Sequence, residues 1–130
     1  MSMLESRVKK ISHVSDIRDD HKVASAGDVT ATLTAQHVLS GILYSNPATA
    51  ITLTLPDASD LVTSDGKSDT GAGLHLYIRN DGGFAVTVAV PASGTLQGSD
   101  QIATGAYTHW YLSYTNVTPG SEAYTLIRLA

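Results

Sequence analysis

The chain has no cysteine, few charges and few aromatic side chains, and each shortage excludes something. Without cysteine there is neither a disulfide framework nor thiolate chemistry, and redox usage says nothing about compartment. Charged residues make up 15% of the 130 positions, and the net charge is −4. With a pI near 5.6, that balance argues against direct nucleic-acid binding through a broad basic face. No apolar run approaches the roughly 20 residues of a membrane-spanning helix. The first residues hold no apolar stretch of the kind that marks a secretion signal. What is abundant is Thr, Ala, Gly and Ser, a composition suited to short strands and tight turns.

Charge divides the chain in two. Residues 1–28 carry five of the eight basic residues (Arg7, Lys9, Lys10, Arg18, Lys22) and an equal number of acidic ones. This segment is near neutral, and residues 29–130 carry the whole −4. Leu4, Val8 and Ile11 are spaced for one helical face, and Val14 and Ile17 drift off it. Two readings remain open: a partly disordered terminus, or an arm whose scattered apolar residues anchor on a neighbouring subunit or partner. On the second reading Arg7, Lys9, Lys10, Ile11, Val14, Ile17 and Arg18 are the expected partner contacts.

The body, 29–130, reads as strands. Ile51, Leu53 and Leu55 alternate with Thr52 and Thr54, the period-2 pattern of a half-buried strand. Pro56 ends it, and Asp57 can cap a short helical turn through Leu61 and Val62. Thr30–Thr34 and Gly41–Tyr44 read as earlier strands. Leu74, Leu76 and Ile78 alternate with His75, Tyr77 and Arg79. Asn80-Asp81-Gly82-Gly83 is a hairpin signal, and Phe84, Val86, Val88 and Val90 follow in alternation. Shorter strands are expected near Thr95–Gly98 and Gln101–Ala103. Tyr107–Asn116 puts Trp110, Leu112 and Tyr114 on one face and His109, Tyr111 and Ser113 on the other. A last strand runs through Tyr124 and Leu126. About eight strands at this spacing predict a sandwich or barrel. The expected core includes Ile51, Leu53, Leu76, Val86, Val88, Trp110 and Leu112. Outward positions such as Thr52, Thr54, Thr87 and Ser113 are small and uncharged. A monomeric β protein usually guards its surface with Lys and Glu, so this pattern points to burial against other subunits.

Catalytic and metal-binding patterns are incomplete. Gly66-Lys67-Ser68 ends like a phosphate-binding loop, but Leu61 stands where its first glycine belongs, and a strand rather than a long helix is expected beyond. Asp65 and Asp69 lack the calcium-loop spacing. No two of His13, His21, His37, His75 and His109 have the near-neighbour spacing of a zinc site, although His75 and His109 lie on strands that can bring them together. No serine sits in a nucleophile elbow. Asn116-Val117-Thr118 matches a glycosylation sequon, but Pro119 follows directly and no secretion signal supports it. The expectation is a non-enzyme with no cofactor and no metal.

Three segments carry a resemblance: ITLTLPDASDLV, LHLYIRNDGGFAVTVAVPASGTLQGSDQIATG and YTHWYLSYTNVTPGSEAYTLIRL. In this order they resemble the jelly-roll decoration, or cement, proteins of tailed bacteriophage capsids, over about residues 30–130. The resemblance implies an all-β, jelly-roll-like antiparallel sandwich with an extended N-terminal arm. It further implies a homotrimer on the capsid exterior that clamps subunits of the major capsid protein, with neither membrane nor nucleic acid as a direct partner. Similar segments occur in phage tail and fibre-associated proteins, which implies the alternative of a receptor- or glycan-binding module. Tyr77, His109 and Tyr111 are the candidates for that module's aromatic site.

Overall fold

The computed structural model describes residues 23–66 and 69–130. The strands are β1 (Val23–Ser25), β2 (Ala31–Thr32), β3 (Ile42–Ser45), β4 (Ile51–Thr54), β5 (Gly73–Asn80), β6 (Val86–Ala89), β7 (Gly94–Gln97), β8 (Gln101–Ile102), β9 (Tyr107–Asn116) and β10 (Ala123–Arg128). Two helices interrupt them, α1 (Ala35–Ser40) and α2 (Ala58–Asp65). The strands form a six-stranded sheet, ordered β1-β3-β5-β9-β10-β7, and a four-stranded sheet, ordered β2-β4-β6-β8. The fold is therefore predominantly β in two sheets, with ten described strands where about eight were expected.

The antiparallel expectation needs correcting. From β1 to β6 the chain alternates between the sheets and returns each time beside its previous strand, running the same way. Hence β1, β3 and β5 are parallel neighbours, as are β2, β4 and β6. Antiparallel pairing begins later, as β8 joins β6 and β9 joins β5. Then β10 lies antiparallel to β9 and parallel to β7. Alternating residues reveal a strand and its buried face, but they do not encode which neighbour it takes.

The corners explain why the Asn-Asp-Gly-Gly signal is not a hairpin. Here β5 and β6 belong to different sheets, and Asn80 turns the chain inward. Its buried amide donates to the carbonyls of Phe84 (2.7 Å) and Ile102 (3.1 Å), and its oxygen accepts from Gly82 N–H at 3.0 Å. Successive corners stack. Ser45, also buried, donates its hydroxyl to Gly27 O at 2.6 Å, and Asp81 N–H donates to Ser45 O at 2.7 Å. Gly105 N–H donates to Asn80 O at 2.9 Å. At Gly82 a Cβ would lie 2.4 Å from Pro47 Cδ, so only glycine lets these two corners touch. Phe84, expected among the inward residues, falls in this corner and is exposed.

The opposite end carries the helices. Thr34 caps α1, with its hydroxyl accepting from His37 N–H and its own N–H donating to His37 Nδ1 at 3.1 Å. Gly41 ends it in the left-handed region, at φ 86°. The strand expected over Thr30–Thr34 is present as β2, while α1 was not expected, because a six-residue helix offers too few positions to show a 3.6 period. Helix α2 starts after Asp57, whose side chain makes no capping bond, and runs to Asp65, longer than the single turn expected.

One hydrophobic cluster fills the space between the sheets. It contains the seven expected core residues, all buried, together with Leu43, Ile78, Tyr114, Tyr124 and Leu126. Val38 of α1 and Leu61 of α2 close one end. Polar atoms inside are satisfied: Trp110 Nε1 donates to Thr108 Oγ1 at 2.6 Å, and Tyr124 donates to Pro56 O at 2.9 Å. Ala26 belongs to this cluster and β1 to the larger sheet, so the packed body takes in residues from 23 onward, ahead of the division at 28 and 29 expected from charge.

Two stability outcomes follow from these contacts. Leu53→Ala or Leu76→Ala should cost about 2–5 kcal/mol in urea unfolding, because each empties a fully buried position. Asn80→Ala should cost roughly 1–3 kcal/mol or more, because it removes the side-chain donor from the carbonyls of Phe84 and Ile102. A loss under half a kilocalorie for Asn80→Ala would show that the corner stack does not depend on that amide.

Candidate interaction face

Alternation turns one side of each strand of the larger sheet outward, and the residue types there are unusual for a surface. Val23, Ile42, Tyr44, Tyr77 and Tyr107 are exposed, Tyr107 at 67% of its surface. In-register pairing places Val23, Ile42, Tyr77 and His109 in one row across β1, β3, β5 and β9. The adjacent row runs Ser25, Tyr44, Arg79 and Tyr107. A third joins His75 to Tyr111 and then Ile127. The charged side chain on these rows is Arg79, which is ion-paired with Asp81. The acidic residues of the body lie elsewhere, in the corners, helices and turns.

At the centre is a cluster of rings. His75 Nδ1 and His109 Nε2 are 2.7 Å apart. One nitrogen must donate and the other accept, so the contact holds a single proton between the two rings. Tyr77 stacks on His109 with ring centres 4.2 Å apart and planes 8° from parallel. Tyr111 lies against His75 at 5.0 Å. Alternation along Leu74–Asn80 and Tyr107–Asn116 turns these side chains outward, and the antiparallel pairing of β5 with β9 brings His75 to His109 and gathers Tyr77, His109 and Tyr111 on one face. Ile42, Tyr44 and Tyr107 were not singled out from the sequence, although Tyr107 shares the outward phase of His109 and Tyr111. The arm residues Arg7, Lys9, Lys10, Ile11, Val14, Ile17 and Arg18 lie outside the described residues.

Two hollows border the cluster. A cleft of about 420 Å³ is lined by Leu39, Ile42, Asp65, Leu74, His75 and Tyr77. A shallower depression of about 310 Å³ is lined by Ile42, Leu43, Tyr77, Arg79 and Tyr107 and is almost wholly apolar. A third hollow lies away from this face, beside the two helices, with Asp57 and Asp60 in its lining. Among the described residues no three His, Asp or Glu side chains gather as metal ligands, and no helix is long and apolar enough to cross a membrane.

The cleft is tied to the core through Asp65, whose carboxylate accepts a hydrogen bond from Tyr114 at 2.8 Å. Burial, and then this carboxylate, push the Tyr114 hydroxyl far above the usual phenol range. Burial, and then Asp57, do the same for Tyr124. Both groups are neutral when folded, whereas an unfolded tyrosine ionises near 10. Their stabilisation is complete below about pH 10 and declines as the pH rises above it, because the unfolded state loses protons first.

Compared with known proteins, the chain matches no family model, no curated protein and no solved structure.

Unfolding free energy should therefore fall steeply above about pH 10. In Tyr114→Phe that decline should be shallower. An unchanged slope would show that the Tyr114–Asp65 contact does not govern the alkaline limit.

Proposed function

We propose that the chain is a structural virion protein, a homotrimeric decoration protein bound to the exterior of a phage capsid, where it strengthens contacts between major capsid subunits. The observation that carries this reading is the outward face of the six-stranded sheet, apolar and aromatic across four strands and nearly free of charge. Exposed apolar patches of that continuity mark interaction surfaces. The resemblance of its strand segments to decoration proteins suggests the kind of assembly. The reading needs a rigid two-sheet body with a sticky face, and it does not need jelly-roll wiring, in which neighbouring strands run antiparallel. It assigns no reaction and no cofactor. The N-terminal arm, with its mixed charges and isolated apolar residues, serves as the tether to the shell.

Clamping works by multivalency. Three bodies joined as one unit present three tethers, so loss of a single contact does not release the protein. Tethers anchored partly by Arg7, Lys9, Lys10 and Arg18 would hold less firmly at high salt, because exposed charge pairs are screened beyond about 8–10 Å.

A second reading is favoured by the Tyr77, His109 and Tyr111 cluster beside the cleft. Exposed rings next to a hollow suit a glycan or receptor ligand, as in a tail- or fibre-associated module.

Rebinding to heads of its own virus, stripped of the chain, separates the two readings. A decoration protein should rebind in many copies per particle, and a chain lacking residues 1–22 should stay folded yet rebind at least tenfold more weakly, with the full chain weakening as salt rises. Attachment of only a few copies at one vertex, together with glycan-array binding lost in Tyr77→Ala, would replace the decoration reading with the second.

A further inference from the structure

The outward face of the larger sheet has the extent and chemistry of a subunit interface. Six strands at ~4.8 Å spacing give a width of roughly 24 Å, and the seven paired residues of β5 and β9 at ~3.3 Å give a length of roughly 23 Å. The projected area is roughly 550 Å², and side-chain relief carries the accessible area toward the ~800 Å² per partner of a standard interface.

Charge selects the occupant. Residues 29–130 hold seven acidic and three basic residues, so copies meeting through most of their surface would repel. On this face the Arg79–Asp81 pair is internally compensated, and the other side chains are uncharged, chiefly Tyr, His, Ile, Val, Ser and Thr with Gln97 at the β7 edge. The smaller sheet also has an uncharged outer side, but Thr52, Thr54, Thr87 and Ala89 are small, partly buried residues that offer little apolar area. Large apolar side chains stand exposed on the six-stranded sheet instead.

We propose that three copies of the chain meet through the outer faces of their six-stranded sheets, with β5 and β9 innermost and the His75–His109 pairs converging on the three-fold axis. This rests on the homotrimer reading above and assigns the surface that makes it. Strands β5 and β9 are the third and fourth of six, so when three faces turn toward one axis, these two strands line it. Tyr44, Tyr107 and the Ile42 row then pack between neighbours.

The test is the solution mass of the full chain by light scattering across a dilution series. At pH 8 the protein should scatter as three times 13.6 kDa, and Thr87→Arg on the opposite sheet should do the same. Tyr77→Arg and Tyr107→Arg should scatter as monomers while keeping a cooperative melt. Tyr107 is the more exposed of the two, so its variant carries the test if Tyr77→Arg fails to fold. A trimer that survives both Tyr variants overturns the assignment of this face but leaves the decoration reading standing. If those variants stay trimeric and lose shell binding, the face belongs to the capsid instead. A face-dependent trimer that never binds shells upholds the inference and removes the decoration role. A wild-type monomer overturns both.

Discussion

The buried hydrogen bonds at the corners are the constraint on which this structure depends. A chain that passes from one sheet to the other must turn its backbone through the protein interior, where every unpaired carbonyl and N–H is costly. Asn80 and Ser45 meet that need with side chains that act as substitute backbone, and each corner then becomes the partner of the next. Once the corners stack, strand neighbours follow. Strands β1, β3 and β5 must lie side by side, and so must β2, β4 and β6.

That stacking also fixes the outer surface. Parallel neighbours in register carry equivalent positions into straight rows, so Ile42 beside Tyr77 and Tyr44 beside Arg79 form a continuous face rather than scattered apolar spots. The acidic residues are left to the corners and helices, where water reaches them. A surface divided in this way is charged at its rims and largely apolar across its broad side.

Much of this was legible in the sequence, and the limits have physical reasons. Strict alternation identified β4, β5, β9 and β10 and their buried sides, because a half-buried strand imposes period 2 on its residues. The same phase put His75 and His109 on the outward sides of their strands, and the pairing of β5 with β9 is what makes them meet. Strand partnership was not legible: an inward-turning corner and a hairpin both favour Asn, Asp and Gly, and only the carbonyls that Asn80 reaches distinguish them. Helix α1 was hidden by its length and by a capping box that uses His37 where Glu is usual. The interaction face was half visible, since the outward phase of β9 was plain while the rows it joins depend on register.

Strand β7 has a consequence for how the protein is made. Among the described residues it sits at the edge of the larger sheet, and its partner there is β10, which follows it by more than twenty-five residues. During synthesis β7 therefore emerges with nothing to pair with, and it must wait until roughly thirty more residues have left the ribosome. Contacts that join such distant segments form slowly. The coil from β1 to β6 can close early, while the edge that finishes the sheet closes only at the end. A chain interrupted before Ala123 would lose two strands rather than one, and it would expose the flank of β9 to any neighbour with a free edge.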